Sequence, residues 1–321
     1  MTPEFDVVGV GLNATDTLLT VSHFPAYAGK VRILDEVLSP GGQVASALAA
    51  CARLGLRARY IGTVGDDERG RIQVESLRAA GIDLEHLQVR PGCASQSAYI
   101  VIDQSTGERT IFWRRDDCLR IDPEAILTEQ IASGRLLLID GHDTAAVAHA
   151  AELGRAHGIP VVVDVDTIYA GFDRVLPNVD YLVASSEFPG AWTGEADPFR
   201  ALEQIQNLYG MKVAAMTLGA HGALARERGA FVYSPAFVVN CVDTTGAGDV
   251  FHGAFCYAVL EGMPMREALE FSNAMAALNC SASGARGGIC GPEAVRALLA
   301  RGERRIHPEI AARAGDVVRN T

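Results

Sequence analysis

From about residue 134 onward the chain alternates between short apolar, β-branched runs and helical patterns, and this alternation limits the possible folds more than any other feature. Strands read at Leu136–Asp140, Pro160–Val165, Tyr181–Ala184 and Val213–Leu218, with helices between them near 144–156 and 197–209. Strands that return in the same direction through helices build an α/β fold, a mostly parallel sheet covered on both faces. Upstream, Val7–Gly11 reads as a buried strand, an Ala-rich helix opens at Gly41 and ends near Leu54, and a strand at Arg59–Thr63 leads into a helix at Arg69–Ala80. Residues 15–40 read as extended, and Ser95–Asp103 with Arg109–Arg115 reads as a hairpin. Together these predict a small β-sheet set apart from the main layer. Helices at Met265–Cys280 and Pro292–Ala300 close the chain, and the polar tail after Arg301 is expected to fray.

Gly9-x-Gly11-x-x-Ala14 copies a dinucleotide-binding fingerprint, but that fingerprint needs a helix directly after the glycines. Extended sequence follows instead, which argues against a nicotinamide enzyme.

A better candidate site is Asp243-Thr244-Thr245-Gly246-Ala247-Gly248-Asp249, between a β-rich run (Ala236–Val242) and a helical one (Val250–Leu260). A helix N-terminus presents unpaired N–H groups and partial positive charge, and small residues let an anion approach that backbone. Asp249 falls in or beside the first turn, where a carboxylate can take a proton from an attacking hydroxyl. An anion hole with a base beside it is a phosphoryl-transfer arrangement. Small residues and Asp at a helix start also serve ordinary capping, so the surrounding sequence has to decide.

The 321 residues include 49% hydrophobic and 21% charged side chains, an ordinary globular composition that one large α/β domain can use. The net charge of −11 argues against a nucleic acid bound through a general basic surface. Met1–Asp6 has no basic leader pattern, and no apolar run reaches the ~18 residues of a membrane span, so a cytoplasmic protein without membrane contact is expected. Seven cysteines without a CxxC pair form a poor disulfide framework, and reduced thiols are expected. No Cys/His cluster indicates a transition metal.

With Val250, Phe251, His252 and Gly253, the Asp243–Asp249 turn resembles the signature of the PfkB, or ribokinase-like, carbohydrate kinases, and the similarity runs to about Ala300. That resemblance implies a ribokinase-like sheet domain over 1–321, carrying a β lid at about 14–38 and 95–116, with the sugar held between the two. It implies Asp249 as catalytic base and the backbone of Gly246, Ala247 and Gly248 as anion hole. Asp16 matches the acid that binds sugar hydroxyls, and Gly41 and Gly42, followed by Gln43, match the di-glycine beside the sugar. The Asn that usually follows is Ser46 here. Ser185 and Phe188 occupy the ends of the usual Asn-x-x-Glu that organises Mg²⁺, with Glu187 one residue early. Thr217, Gly219 and Gly222 match the turn beside the ATP phosphates, and Asn273 the adenine pocket. Asp243 and Thr245, with the Gly284–Gly288 loop, match a K⁺ site.

Within the family the chain looks most like the sulfofructose kinases, then the ketohexokinases, through Ser95–Ala98, Gly107–Arg109 and Pro235–Gly253. Lys30 agrees with sulfonate binding, whereas Trp113 and His142 stand where Asn and Arg are expected. Gln96, Trp113, Arg114 and Arg115 belong to the lid; adjacent arginines on a strand face opposite ways, so at most one meets a ligand directly. The expected protein is an ATP-, Mg²⁺- and K⁺-dependent kinase acting on a primary hydroxyl of a ketose, sugar acid or sulfosugar, and a homodimer through its lids. The alternatives are a nucleoside kinase of the same fold and a catalytically idle sugar-binding protein.

Overall fold

The computed structural model describes residues 3–106 and 109–315. Expectations for Met1, Thr2, Gly107, Glu108 and residues beyond 315 lie outside the described residues. The strands are β1 (Phe5–Val10), β2 (Ala14–Val21), β3 (Ile33–Gly41), β4 (Ala58–Gly65), β5 (Leu87–Arg90), β6 (Ser97–Asp103), β7 (Arg109–Arg114), β8 (Gly134–Ile139), β9 (Val161–Val165), β10 (Tyr181–Ala184), β11 (Val213–Thr217), β12 (Ala223–Glu227), β13 (Ala230–Ser234), β14 (Ala236–Phe237) and β15 (Arg304–Arg305). The helices are α1 (Gln43–Arg53), α2 (Glu68–Ala79), α3 (Thr128–Ala132), α4 (Thr144–Ala156), α5 (Glu187–Thr193), α6 (Pro198–Tyr209), α7 (Ala247–Leu260), α8 (Met265–Asn279), α9 (Pro292–Arg301) and α10 (Pro308–Arg313).

The large sheet has the order β13-β12-β11-β10-β9-β8-β1-β4-β5. Its neighbours pair in parallel except along β11–β12–β13, which are joined antiparallel. Period-two alternation sends β8 side chains into two cores. Leu137 and Ile139 join Val147 and Ala151 of α4, while Leu136 and Leu138 join Leu48 of α1 and Phe255 of α7. Each such fully buried leucine contributes about 1.5–3 kcal/mol relative to exposure. β1 turns directly into β2 of the small sheet, so the glycine pattern near Gly9 opens no helix.

The small sheet has the order β3-β2-β6-β7. Its registers align Ser39, Asp16, Ala98 and Trp113 in one row, and Leu38, Thr17, Tyr99 and Phe112 in the next. Adjacent rows face opposite sides of a pleated sheet.

The structure corrects several expectations. Cys93 and Cys118 form a disulfide, their Cα atoms 6.2 Å apart. They flank the β6–β7 hairpin, and closing the hairpin brings together residues whose spacing in sequence gave no signal. Only Ala236–Phe237 of the β-rich run before the anion-hole turn is a strand. Beyond it the backbone is held by single bonds, Val238 N donating to Glu303 O and Val242 N to Cys280 O. The tail after Arg301 is ordered through 315: β15 pairs with β14, Arg304 lies 3.6 Å from the Phe237 ring centre, and Arg313 bridges Asp197 at 2.7 Å. Ala311 of α10 is buried against the β11–β13 end of the sheet.

Candidate active site

The C-terminal ends of the parallel strands and one face of the small sheet enclose a cavity of about 860 Å³. In open α/β sheets this is where ligands bind.

The anion-hole turn lies along its wall. Gly246 adopts φ 72°, and a Cβ there would stand 2.2 Å from Ala285 O, so only glycine fits. No side chain caps α7, which leaves the first-turn N–H groups of Gly248 and Asp249 available to an anion, while Ala247 N donates to Thr244 O at 3.2 Å. Asp249 lines the cavity, and burial raises its carboxyl to about 6 against the counteracting charges of Arg286 and Arg109. Arg109 reaches from β7 and donates to Thr244 Oγ1 within the turn.

Asp16, on β2, faces the same cavity. Burial, and secondarily the Asp249 charge, raises it to about 7, with Arg286 and Arg69 opposing. A Cβ on Gly41 would stand 2.0 Å from Asp16 Oδ2, so glycine at this position lets the backbone lie against the carboxylate. Trp113 shares the Asp16 row and is 65% exposed, its indole open to the cavity beside Ile111 and Ile100.

Among the residues singled out from sequence, Gly42, Gln43, Gln96 and His142 line the cavity with Asp16 and Trp113. Gln43 Nε2 donates to Asp164 Oδ1 at 3.3 Å, and Gln96 Oε1 accepts from Arg115 at 3.2 Å. Ser185, Thr217, Gly219, Gly222 and Asn273 line the far end, where Ser185 Oγ donates to Asp166 O at 2.8 Å. The Asn273 amide is spent on β13, donating to Ser234 O at 3.0 Å and Ser234 Oγ at 2.9 Å.

Other candidates stand elsewhere. Lys30 is exposed in the β2–β3 loop and lines no part of the cavity. Arg114 points outward to Asp116, and Arg115 is held by Asp143 and Leu119 O. Lys30, Arg114 and Arg115 therefore do not gather at the cleft. Ser46 is fully buried beneath it and accepts from Arg286 Nε at 3.1 Å. Glu187 is exposed at the start of α5 and does not line the cavity, while Phe188 is buried against Phe172 and Trp192. Neither residue supplies the missing carboxylate to the cleft.

Carboxylates do arrive from β9. Asp164 and Asp166 line the cavity, and burial pushes Asp164 well above the usual carboxylate range, with Asp249 adding to the shift. Asp164 Oδ2 is buried without a hydrogen-bond partner among the described residues and lies 3.2 Å from His252 Nδ1. His252, one turn into α7, also places Nδ1 2.7 Å from Gly248 O and Nε2 3.0 Å from Val183 O; burial lowers its pKa. Tyr169 Oη donates to Asp166 Oδ1 at 2.9 Å and stands 3.3 Å from His142 Nε2. Sequence reasoning assigned no individual role to Asp164, Asp166, Tyr169, His252 or Arg286. The two acids end a strand that the sequence had located, which was a usable signal.

Behind the turn, Asp243 is buried and accepts from Thr245 N and Gly284 N, both at 2.8 Å. Asn279 Nδ2 reaches Thr245 O at 3.3 Å and Ala285 O at 3.1 Å, and its Oδ1 accepts from Gly288 N at 3.1 Å. Thr245 Oγ1 is buried and unpartnered among the described residues.

A parallel sheet whose strand ends, an uncapped helix N-terminus and a small covering sheet share one cleft is a ribokinase-like α/β fold. The chain belongs to the pfkB family of carbohydrate kinases, whose family model matches residues 6–290. It is 28% identical to the ribokinase of Bacillus subtilis (strain 168) over 261 residues, covering 81% of this chain and 87% of that protein. It is also 28% identical to a 5-dehydro-2-deoxygluconokinase of Geobacillus thermodenitrificans, covering 74% of this chain and 77% of the relative. A crystal structure from Agrobacterium tumefaciens, provisionally described as a ribokinase, superposes with a TM-score of 0.85 at 32% identity, covering 92% of this chain and 99% of that one. The protein is an ATP-dependent kinase for a sugar or nucleoside. Among the described residues no helix is long and apolar enough to cross a membrane.

Proposed function

We propose that the protein transfers the γ-phosphoryl group of MgATP to a primary hydroxyl of a sugar or sugar acid, with Asp249 as general base. The observation that carries this reading is Asp249 in the first turn of an uncapped α7, opposite Asp16 in one cavity. Asp16 accepts from sugar hydroxyls and fixes the acceptor. Asp249 withdraws the proton of the attacking hydroxyl, while the N–H groups at the start of α7 meet charge developing on the transferring phosphoryl. The small sheet covers the cleft with Ile100, Ile111 and Trp113 and so limits water.

Mg²⁺ bound to the phosphates supplies charge neutralisation, keeping most of its own waters. The unpartnered Asp164 Oδ2, with Asp166 beside it, fits hydrated Mg²⁺ and would hold it in place of the missing Asn-x-x-Glu. The hard oxygens at Asp243 and Thr245, one of them unpartnered, fit K⁺, with Gly284 and Gly288 completing the loop.

Relatives named ribokinase, deoxyribokinase and 5-dehydro-2-deoxygluconokinase support a monosaccharide or sugar-acid acceptor. The exposed Trp113 indole, with Tyr169 also on the cavity wall, favours a second reading, a nucleoside whose base stacks there. An ADP-release assay over ribose, deoxyribose, fructose, 5-dehydro-2-deoxygluconate, sulfofructose and inosine decides. Turnover on the sugars is expected; inosine alone would favour the second reading, and no turnover on any would contradict the first.

A further inference from the structure

We propose that Arg286 is a positioning residue that ties the Gly284–Gly288 loop to the floor of the sugar site and holds a fixed positive charge behind Asp16 and Asp249. The inference rests on the kinase reading, in which those two acids do the work.

The guanidinium spans three elements. Nη2 donates to Gly41 O at 2.7 Å at the end of β3, Nε to Ser46 Oγ at 3.1 Å in α1, and Nη1 to Ser76 Oγ at 2.9 Å in α2. A planar fork makes such divergent bonds with little further loss of freedom, which a lysine cannot reproduce. Gly41 is the residue whose backbone packs onto the Asp16 carboxylate, so a bond to its carbonyl acts on the acid next door. The other side of the same loop is fixed to the anion-hole turn, through Gly284 N to Asp243 and Ala285 O to Asn279. One side chain therefore connects the loop behind the anion hole to the di-glycine of the sugar site. Ser46 is explained by the same contact: the smaller side chain leaves room for the guanidinium and is consumed by it.

The charge has a second consequence. Asp249 faces Asp16 on β2, Asp140 and Asp166 at the ends of β8 and β9, Asp164 on β9, His252 on its own helix and Arg109 on β7. Burial first, and these acids after it, disfavour the charged form of both carboxylates, and a base that keeps its proton cannot accept another. Arg286 opposes this at both Asp249 and Asp16. Burial lowers its own pKa to about 10, which still leaves it charged at neutral pH.

The test is the titration of Asp249 and Asp16 followed by carboxyl ¹³C NMR on ¹³C-aspartate-labelled protein without nucleotide or sugar, with Asp249→Asn and Asp16→Asn assigning the signals. In Arg286→Gln both titrations should move up by about one unit or more, the effect of losing an opposite charge nearby. In Arg286→Lys they should stay within about half a unit, while amide exchange at Gly41–Ser46 quickens because the fork is gone. A folded Arg286→Gln protein in which both acids titrate as in the wild type would overturn the proposal, since a merely structural arginine would lower thermal stability alone. Should Arg286→Gln not fold, Arg286→Lys decides: unchanged exchange at Gly41–Ser46, or a full upward shift despite the retained charge, overturns it. A shifted titration in a protein with no phosphotransfer activity would instead sink the kinase reading and leave the Arg286 assignment standing.

Discussion

Asp249 has two properties that the kinase reading needs together, a place at the start of α7 and a pKa near the working range. Burial raises it to about 6, so the competent carboxylate is lost as pH falls through that value. We expect kcat/KM to fall about tenfold per pH unit below it, the behaviour of one essential base. A flat acid profile down to pH 5 would remove Asp249 from that role. The same burial weakens the fold. Asp16, raised to about 7, binds its proton more tightly in the folded chain than in the unfolded one. Its contribution therefore favours folding at low pH and is lost as pH rises from the unfolded carboxylate value through about 7. Asp16→Asn should melt above the wild type at pH 8, by roughly 3 °C or more, and the gap should narrow at pH 5. Scanning fluorimetry at the two values checks the sign. Asp16, Gly42, Gln96 and the anion-hole residues were legible as candidates through the family resemblance, and the structure brings them to one cavity. The positions of Lys30 and Arg114 were not legible, because a loop and an outward strand face cannot be told from a cleft-facing one until the register is known.

At the scale of elements, the α7 turn and the Gly284–Gly288 loop form one unit held by Asp243 and Asn279. Potassium should raise activity at fixed Mg²⁺, and Thr245→Val should abolish the gain by removing the unpartnered Oγ1. Equal rates in sodium, potassium and a bulky organic cation would exclude the site. Most strands and helices were readable from periodicity, since β1, β8, β9 and β10 are buried on both faces and appear as short apolar runs. The β12–β13 hairpin escaped notice: its turn at Arg228–Gly229 takes positive φ at both residues, and the weak Arg-Gly signal hides it. The Ala236–Val242 run looked like a strand because its residues are β-formers, but its pairing with β15 stops at Phe237 and among the described residues no strand pairing continues beyond it. Strand formation depends on that partner as much as on propensity.

For the whole molecule, the outward row of the small sheet leaves Leu38, Tyr99 and Phe112 each about half exposed, with Ile33 and Leu34 near them on β3. An apolar face of this kind is commonly buried by a partner. We expect a homodimer joined through the two small sheets, dissociated by Phe112→Glu with Tyr99→Glu; light scattering at micromolar concentration that gives the monomer mass for the wild type would contradict it. The central claim concerns the chemistry in the cleft, and the most direct measurement is the turnover of Asp249→Asn beside its affinity for ATP. The account predicts a folded protein that binds ATP nearly as the wild type does and turns over about 10²–10⁴-fold more slowly, the usual loss on removing a general base. Turnover within a few-fold of the wild type in that folded variant would contradict it.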